Sequence, residues 1–179
     1  MTNYVYIATS LDGFIATSDG SIDWLLEIPN PEQSDYGYAE FMSGIDAIVM
    51  GRNTFEKVLT FDKWAYDKPI FVLSNSLTKL PEEIIDKAEI VSGDIKKLIN
   101  QLNQQGYQNL YIDGGGAIQS FLKEDLIDEM IITLIPIILG SGFPLFDKLD
   151  KRLKFIHNKT EIYNNTLVKS HYMRDRNTK

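Results

Sequence analysis

Two stretches of this 179-residue chain place glycine beside residue types that bind phosphate. Asp113-Gly114-Gly115-Gly116 follows the strand-like Asn109–Ile112 and precedes the helix-like Ala117–Leu122. Glycine there lets the backbone approach a ligand closely. A helix opening behind it presents N–H groups and the positive end of its dipole to a phosphate. The same triplet could equally serve only tight strand-to-helix packing. Met50-Gly51-Arg52-Asn53-Thr54 occupies a second strand-to-helix junction, where Arg52 offers a two-pronged guanidinium and Thr54 a hydroxyl. Two such junctions suggest a dinucleotide, although the spacing is not the GxGxxG of an ordinary Rossmann domain.

Composition narrows the chemistry further. With 18 Lys+Arg against 25 Asp+Glu the formal net charge is −7, so the chain has no general attraction for a nucleic-acid backbone or an anionic membrane. It has no cysteine and only two histidines, His157 and His171, which argues against thiolate catalysis, disulfides and a transition-metal centre. No apolar run is long enough to span a bilayer and no signal-like segment opens the chain, so a cytoplasmic protein is expected. At 44% hydrophobic residues, one compact domain over residues 1–179 is expected.

The elements that must hold these junctions alternate between strand and helix patterns, which predicts an α/β fold with parallel pairing. Strands are expected at Tyr4–Ala8, Ala47–Met50, Ile70–Leu73, Glu89–Val91, Asn109–Ile112, Met130–Ile135, Phe155–Tyr163 and Leu167–Met173. The last two are joined at Asn164-Asn165 as a hairpin. Helices are expected over Tyr36–Met42, from Asn53 with Glu56 three residues on, along the Ile95, Leu98, Ile99, Leu102 stripe, and over Ala117–Leu122. Asp12-Gly13 and Asp19-Gly20 are turn signals in the loop after the first strand.

Five ordered motifs together resemble the dihydrofolate reductase superfamily. They are Ser10-Leu11-Asp12-Gly13-Phe14-Ile15-Ala16, Val49–Glu56, Leu73-Ser74-Asn75-Ser76, Ile112–Gly116, and Pro136–Gly142 with Pro144-Leu145-Phe146. The first and last are most similar to the branch typified by the C-terminal reductase domain of the bifunctional riboflavin-biosynthesis deaminase-reductase (RibD). That resemblance implies a three-layer fold with a central, mostly parallel sheet of about eight strands, an antiparallel C-terminal hairpin and NADPH across the carboxyl ends of the strands. It places Arg52 and Ser74 on the adenosine 2′-phosphate, Thr54, Gly51, Gly114, Gly115 and Gly116 at the pyrophosphate, and Ala8 and Ile15 around the nicotinamide. Ala8 and Ile15 could instead be core, and Ser74 could simply end a strand.

Hydride transfer to a C=N or C=O carbon needs a proton for the neighbouring heteroatom. By position in the family pattern Asp35 is the expected acid, supported by the strand residue Thr133, and Trp24 the expected substrate contact. Asp35 could equally be a solvent-facing helix cap, and Thr133 simply a good strand residue. The surroundings depart from the pattern: Asp23 stands where proline precedes the tryptophan, and Ile28–Ser34 looks inserted. Lys68 replaces the arginine that holds the glutamyl group of folate with a point charge. These departures favour an NADPH-dependent reductase of a pyrimidine or pterin-like heterocycle, most simply a 5-amino-6-(5-phosphoribosylamino)uracil reductase, and the resemblance to the riboflavin-type branch implies a homodimer. The rivals are a true dihydrofolate reductase and a non-catalytic nucleotide-binding protein. His157 and His171 are assigned no role.

Overall fold

The computed structural model describes residues 1–177; residues 178 and 179, the last two of the domain expected over 1–179, lie outside the described residues. Among the described residues, ten strands and four α-helices follow in the order β1 (Thr2–Thr9), β2 (Phe14–Ala16), α1 (Tyr38–Ser43), β3 (Ala47–Gly51), α2 (Arg52–Val58), β4 (Ile70–Leu73), β5 (Ala88–Val91), α3 (Ile95–Gln104), β6 (Asn109–Asp113), α4 (Gly115–Lys123), β7 (Glu129–Leu134), β8 (Phe143–Pro144), β9 (Phe155–Tyr163) and β10 (Leu167–Arg174). Eight strands form one sheet in the order β5-β4-β3-β6-β1-β7-β10-β9. β1, β3, β4, β5, β6 and β7 pair in parallel, and β10 runs antiparallel to both β7 and β9.

Residue parity sorts the sheet into two covered faces, because successive side chains of a strand point to opposite sides. Ala47, Val49, Leu110 and Ile112 face α3 and α4, packing with Leu98, Leu102, Ile118 and Phe121. Ile48, Met50 and Tyr111 face the other way, onto Met42 of α1 and Phe55 of α2. The chain is therefore a helix–sheet–helix sandwich, with every residue of β3 from Ala47 to Met50 buried.

Local chemistry explains where elements start. α3 opens on Asp94, whose carboxylate accepts the Lys97 N–H at 2.9 Å, and its Ile95, Leu98, Ile99, Leu102 stripe packs inward as expected. α1 begins at Tyr38 rather than Tyr36, because Tyr36 and Gly37 have φ of 54° and 84°, outside helical geometry. Similarly α2 begins at Arg52, not Asn53. Its first turn has no side-chain cap, and Glu56 instead bonds Arg52. Asn164 and Asn165, both at positive φ, close the β9–β10 hairpin.

The short β2–β8 ribbon had no clear sequence signal. It joins the first and last of the five motifs: Phe14 pairs with Pro144 and Ala16 with Phe143. Asp12 makes the second tie, its carboxylate accepting the Leu139 and Gly140 N–H groups at 3.2 and 2.7 Å while Ser10 Oγ donates to it at 2.6 Å.

Candidate functional site

The two glycine junctions lie side by side at the carboxyl edge of the sheet. β3 and β6 are neighbours with Met50 opposite Asp113, so α2 and α4 start from adjacent strand ends. Gly114 sits at φ 85° and ψ 144°, a backbone conformation essentially restricted to glycine, and a Cβ there would collide with Thr54 Oγ1. A Cβ on Gly51 would lie 3.6 Å from Ala117 N. Gly115 and Gly116 are not loop residues but the first turn of α4. Ile15 presses against Gly115, where a Cβ would meet its Cδ1 at 2.7 Å, while Gly116 faces open space.

A cavity of about 400 Å³ opens between these junctions, lined by Arg52, Thr54, Ser74, Asn75, Gly93 and Gly116 among others. Thr54 Oγ1 makes no hydrogen bond among the described residues, so the hydroxyl is available to a ligand. Arg52 is partly engaged: Nε donates to Glu56 at 2.6 Å and Nη1 to Ser76 Oγ at 2.9 Å, leaving Nη2 free among the described residues. Ser74 Oγ accepts the Ser76 and Leu77 N–H groups at 3.2 and 2.9 Å, which shapes the turn after β4 and leaves the hydroxyl proton to donate. Ser76, which the motif reading quoted without giving a role, is the serine that meets Arg52.

Ala8 and Trp24 also come together. Both belong to a cluster with Tyr36, Ile137 and Tyr163 at the carboxyl end of β1. Trp24 is buried on a short 3-10 turn, and its indole Nε1 is enclosed with no partner among the described residues. Lys169 ties this corner together from β10. Its Nζ donates to Tyr36 O at 2.9 Å and Tyr163 Oη at 2.7 Å and pairs with Glu161 at 3.1 Å. Burial opposes the lysine's charge, but these bonds outweigh it and hold the pKa above the usual range. Lys169 read as an ordinary strand residue, since its three partners come from other segments.

Asp35 takes the second of its two expected readings, the solvent-facing helix cap. It is exposed, and its two oxygens accept the Gly37 and Ala39 N–H groups at 2.9 and 2.8 Å, which caps the start of α1. These backbone bonds hold its carboxyl below the usual carboxylate range, the opposite of what a proton donor requires. Thr133 is buried on β7 between Ala8 and Lys169 in register, and no hydrogen bond joins it to Asp35 among the described residues. Lys68 lines a separate cleft with Asp67, Ile85 and Lys87 at the amino ends of β4 and β5.

The acid that is sheltered is Asp113, read from sequence only as part of a turn. Tyr66 Oη lies 3.0 Å from Oδ2 and Tyr111 Oη 3.1 Å from Oδ1. Burial raises its pKa, and bonds from Tyr66, Tyr111 and Gly114 N–H only partly offset that. The local signal was present in the acidic residue directly before the glycines. Its tyrosine partner lies 47 residues away, beyond the reach of a motif.

An eight-stranded sheet of this order, with two glycine-bearing helix starts side by side at its carboxyl edge, is a dihydrofolate reductase-like fold. The same fold occurs in dihydrofolate reductase from Enterococcus faecalis, solved complexed with NADP(H), at 14% identity and a TM-score of 0.66 over 97% of this chain and 96% of that one. The family model for the RibD C-terminal domain matches residues 4–169, and the chain belongs to that family. A putative riboflavin biosynthesis protein from Shewanella sp. PV-4 is 50% identical with a TM-score of 0.96, covering 98% of this chain and all of that one. The Bacillus subtilis protein YwjB, itself uncharacterized, is 39% identical over 173 residues, 95% of this chain and 96% of its own.

Proposed function

We propose that the chain is an NADPH-dependent reductase that reduces a pyrimidine or pterin-like heterocycle, most simply a ribosylaminopyrimidinone of riboflavin biosynthesis. One observation carries this reading: Arg52 and Thr54 from one junction, Gly116 from the other and Ser74 from the turn after β4 line one cavity at the carboxyl edge of the sheet. The residues fit a phosphorylated dinucleotide. The Gly114 turn is pressed so closely on Thr54 that no side chain could stand between them. Arg52 Nη2 and the Ser74 hydroxyl supply donors for a dianionic 2′-phosphate, and the Thr54 hydroxyl and the start of α4 supply donors for a pyrophosphate. When bound, the dihydronicotinamide supplies the hydride. The protein's part is to hold the ring beside Ala8 and Ile15, to keep water off the enclosed Trp24 corner, and to supply the accompanying proton.

The Shewanella relative's description points to riboflavin biosynthesis, and Lys68, in its cleft at the amino ends of β4 and β5, gives folate's glutamyl tail no bidentate partner. Oxidation of NADPH by the purified protein with 5-amino-6-(5-phosphoribosylamino)uracil-type substrate, run beside dihydrofolate, tests the reading. Turnover of the ribosylated pyrimidine alone is expected; turnover of dihydrofolate alone would replace it with a folate reductase. A cytoplasmic homodimer is part of the same proposal, and sedimentation would give the mass of the assembly. Among the described residues no helix is long and apolar enough to cross a membrane.

A further inference from the structure

Asp113 ends β6 on the sheet face that carries α1, and it is enclosed by phenols from separate segments. Tyr66 comes from the stretch before β4, Tyr111 from β6 itself and Tyr38 from the first turn of α1. Asp67 is the further charged group acting on Tyr38, and no cation is among the groups acting on Asp113.

The hydrogen bonds constrain where the protons lie. Tyr111 has one hydroxyl proton and two acceptors, Tyr6 O at 2.9 Å and Asp113 Oδ1 at 3.1 Å. Given to the nearer backbone carbonyl, that proton leaves Oδ1 facing a phenol oxygen, a contact satisfied when Asp113 itself carries a proton and donates it. Tyr66 then donates to the other oxygen, Oδ2, at 3.0 Å. The network thus accommodates a neutral carboxylic acid with both of its oxygens bonded, and burial without a counter-charge favours the same form. Tyr38 Oη has no hydrogen-bond partner among the described residues and stands as the free phenol of the group.

We infer that Asp113, not Asp35, is the proton store of the site, with burial keeping it neutral and Tyr66 and Tyr111 as positioning residues that fix the direction of its carboxyl. This rests on the reductase reading above. In the step it serves, hydride adds to the carbon of a C=N or C=O bond and the π electrons move to the heteroatom. That heteroatom gains the proton given up by Asp113, and the carboxylate left behind regains one from water. The dihydronicotinamide is the reductant and leaves oxidised.

The test is a titration of the full chain carrying carbon-13-labelled aspartate carboxyls, together with Asp113→Asn and Tyr66→Phe. Asp113 is expected to titrate above the ordinary carboxylate range. Tyr66→Phe removes a bond that favours the carboxylate, so it moves that midpoint higher still and shifts the basic limb of the kcat profile the same way. Asp113→Asn, with NADPH binding intact, is expected to lower kcat about 100-fold with little change in KM. An Asp113 midpoint at or below the ordinary range overturns the inference, as does full turnover by Asp113→Asn. If that variant does not fold, the Tyr66→Phe shift decides alone, and an unmoved pH limb overturns the role. A wild-type protein that binds no NADPH is a distinct failure: it removes the reductase reading, and this role with it, whatever the titration shows.

Discussion

The two halves of the sheet's carboxyl edge are built by opposite means. Where α2 and α4 leave the ends of β3 and β6, beside the end of β4, the site is made of backbone: glycines 51, 114 and 116, two helix starts, and polar side chains that reach an open cavity. On the α1 face of the sheet and on β10 it is made of side chains, with Tyr38, Tyr66 and Tyr111 around Asp113 and with Lys169 braced by Tyr36, Tyr163 and Glu161. On the proposed function, a backbone-built half suits a ligand common to many reductases, since backbone N–H groups can bind phosphate whatever side chains surround them. The side-chain half is where substrate and proton chemistry can differ between relatives, because each phenol or carboxyl there can change without altering the strand beneath it.

That contrast can be broken first where the backbone half is least tolerant. Gly114→Ala places a Cβ against Thr54 and forces alanine into a backbone region costing about 1–3 kcal/mol before the collision is counted. Chemical denaturation is expected to show a loss at the upper end of that range or beyond, with cofactor binding abolished. In the side-chain half, Lys169→Met keeps the length of the side chain but leaves Tyr36 O and Tyr163 Oη without their donor. A loss of about 1–3 kcal/mol is expected by the same measurement.

A smaller effect sharpens the comparison through pH. Folded Asp113 keeps its proton where the unfolded chain has released it, so the folded state binds more protons and stability falls as pH rises through and above the ordinary carboxylate range. Denaturation of wild type and Asp113→Asn at a series of pH values should show the wild type losing ground to the variant on the alkaline side. The smallest effect is expected at Asp35. Asn also caps helices, so Asp35→Asn should leave both stability and the pH profile of kcat nearly unchanged. A shifted profile would return the acid role to it.

How far the sequence could be read follows the same division. The strand-to-helix junctions at Gly51 and Gly114, the α3 stripe and the Asn164-Asn165 hairpin are local patterns, and the structure forms all three. β2 and β8 were missed because three- and two-residue strands carry no periodicity and exist only through each other. Asp35 was given the acid role because position along the chain says nothing of burial. Asp113 was passed over because its shelter is assembled from Tyr66 and Tyr111 on different segments, and Ser76 because only the folded turn after β4 brings it to Arg52.

The most direct measurement is a fluorescence titration of wild type and Arg52→Ala with NADPH and NADH. Tight NADPH binding is expected, with NADH much weaker. Arg52→Ala should cost NADPH about 10- to 100-fold while leaving NADH nearly unaffected, the value of one or two charge-assisted hydrogen bonds to the 2′-phosphate. Equal binding of the two nucleotides, or equal losses in the variant, would contradict a phosphate-reading role for Arg52. No binding of either would leave the two junctions as packing alone.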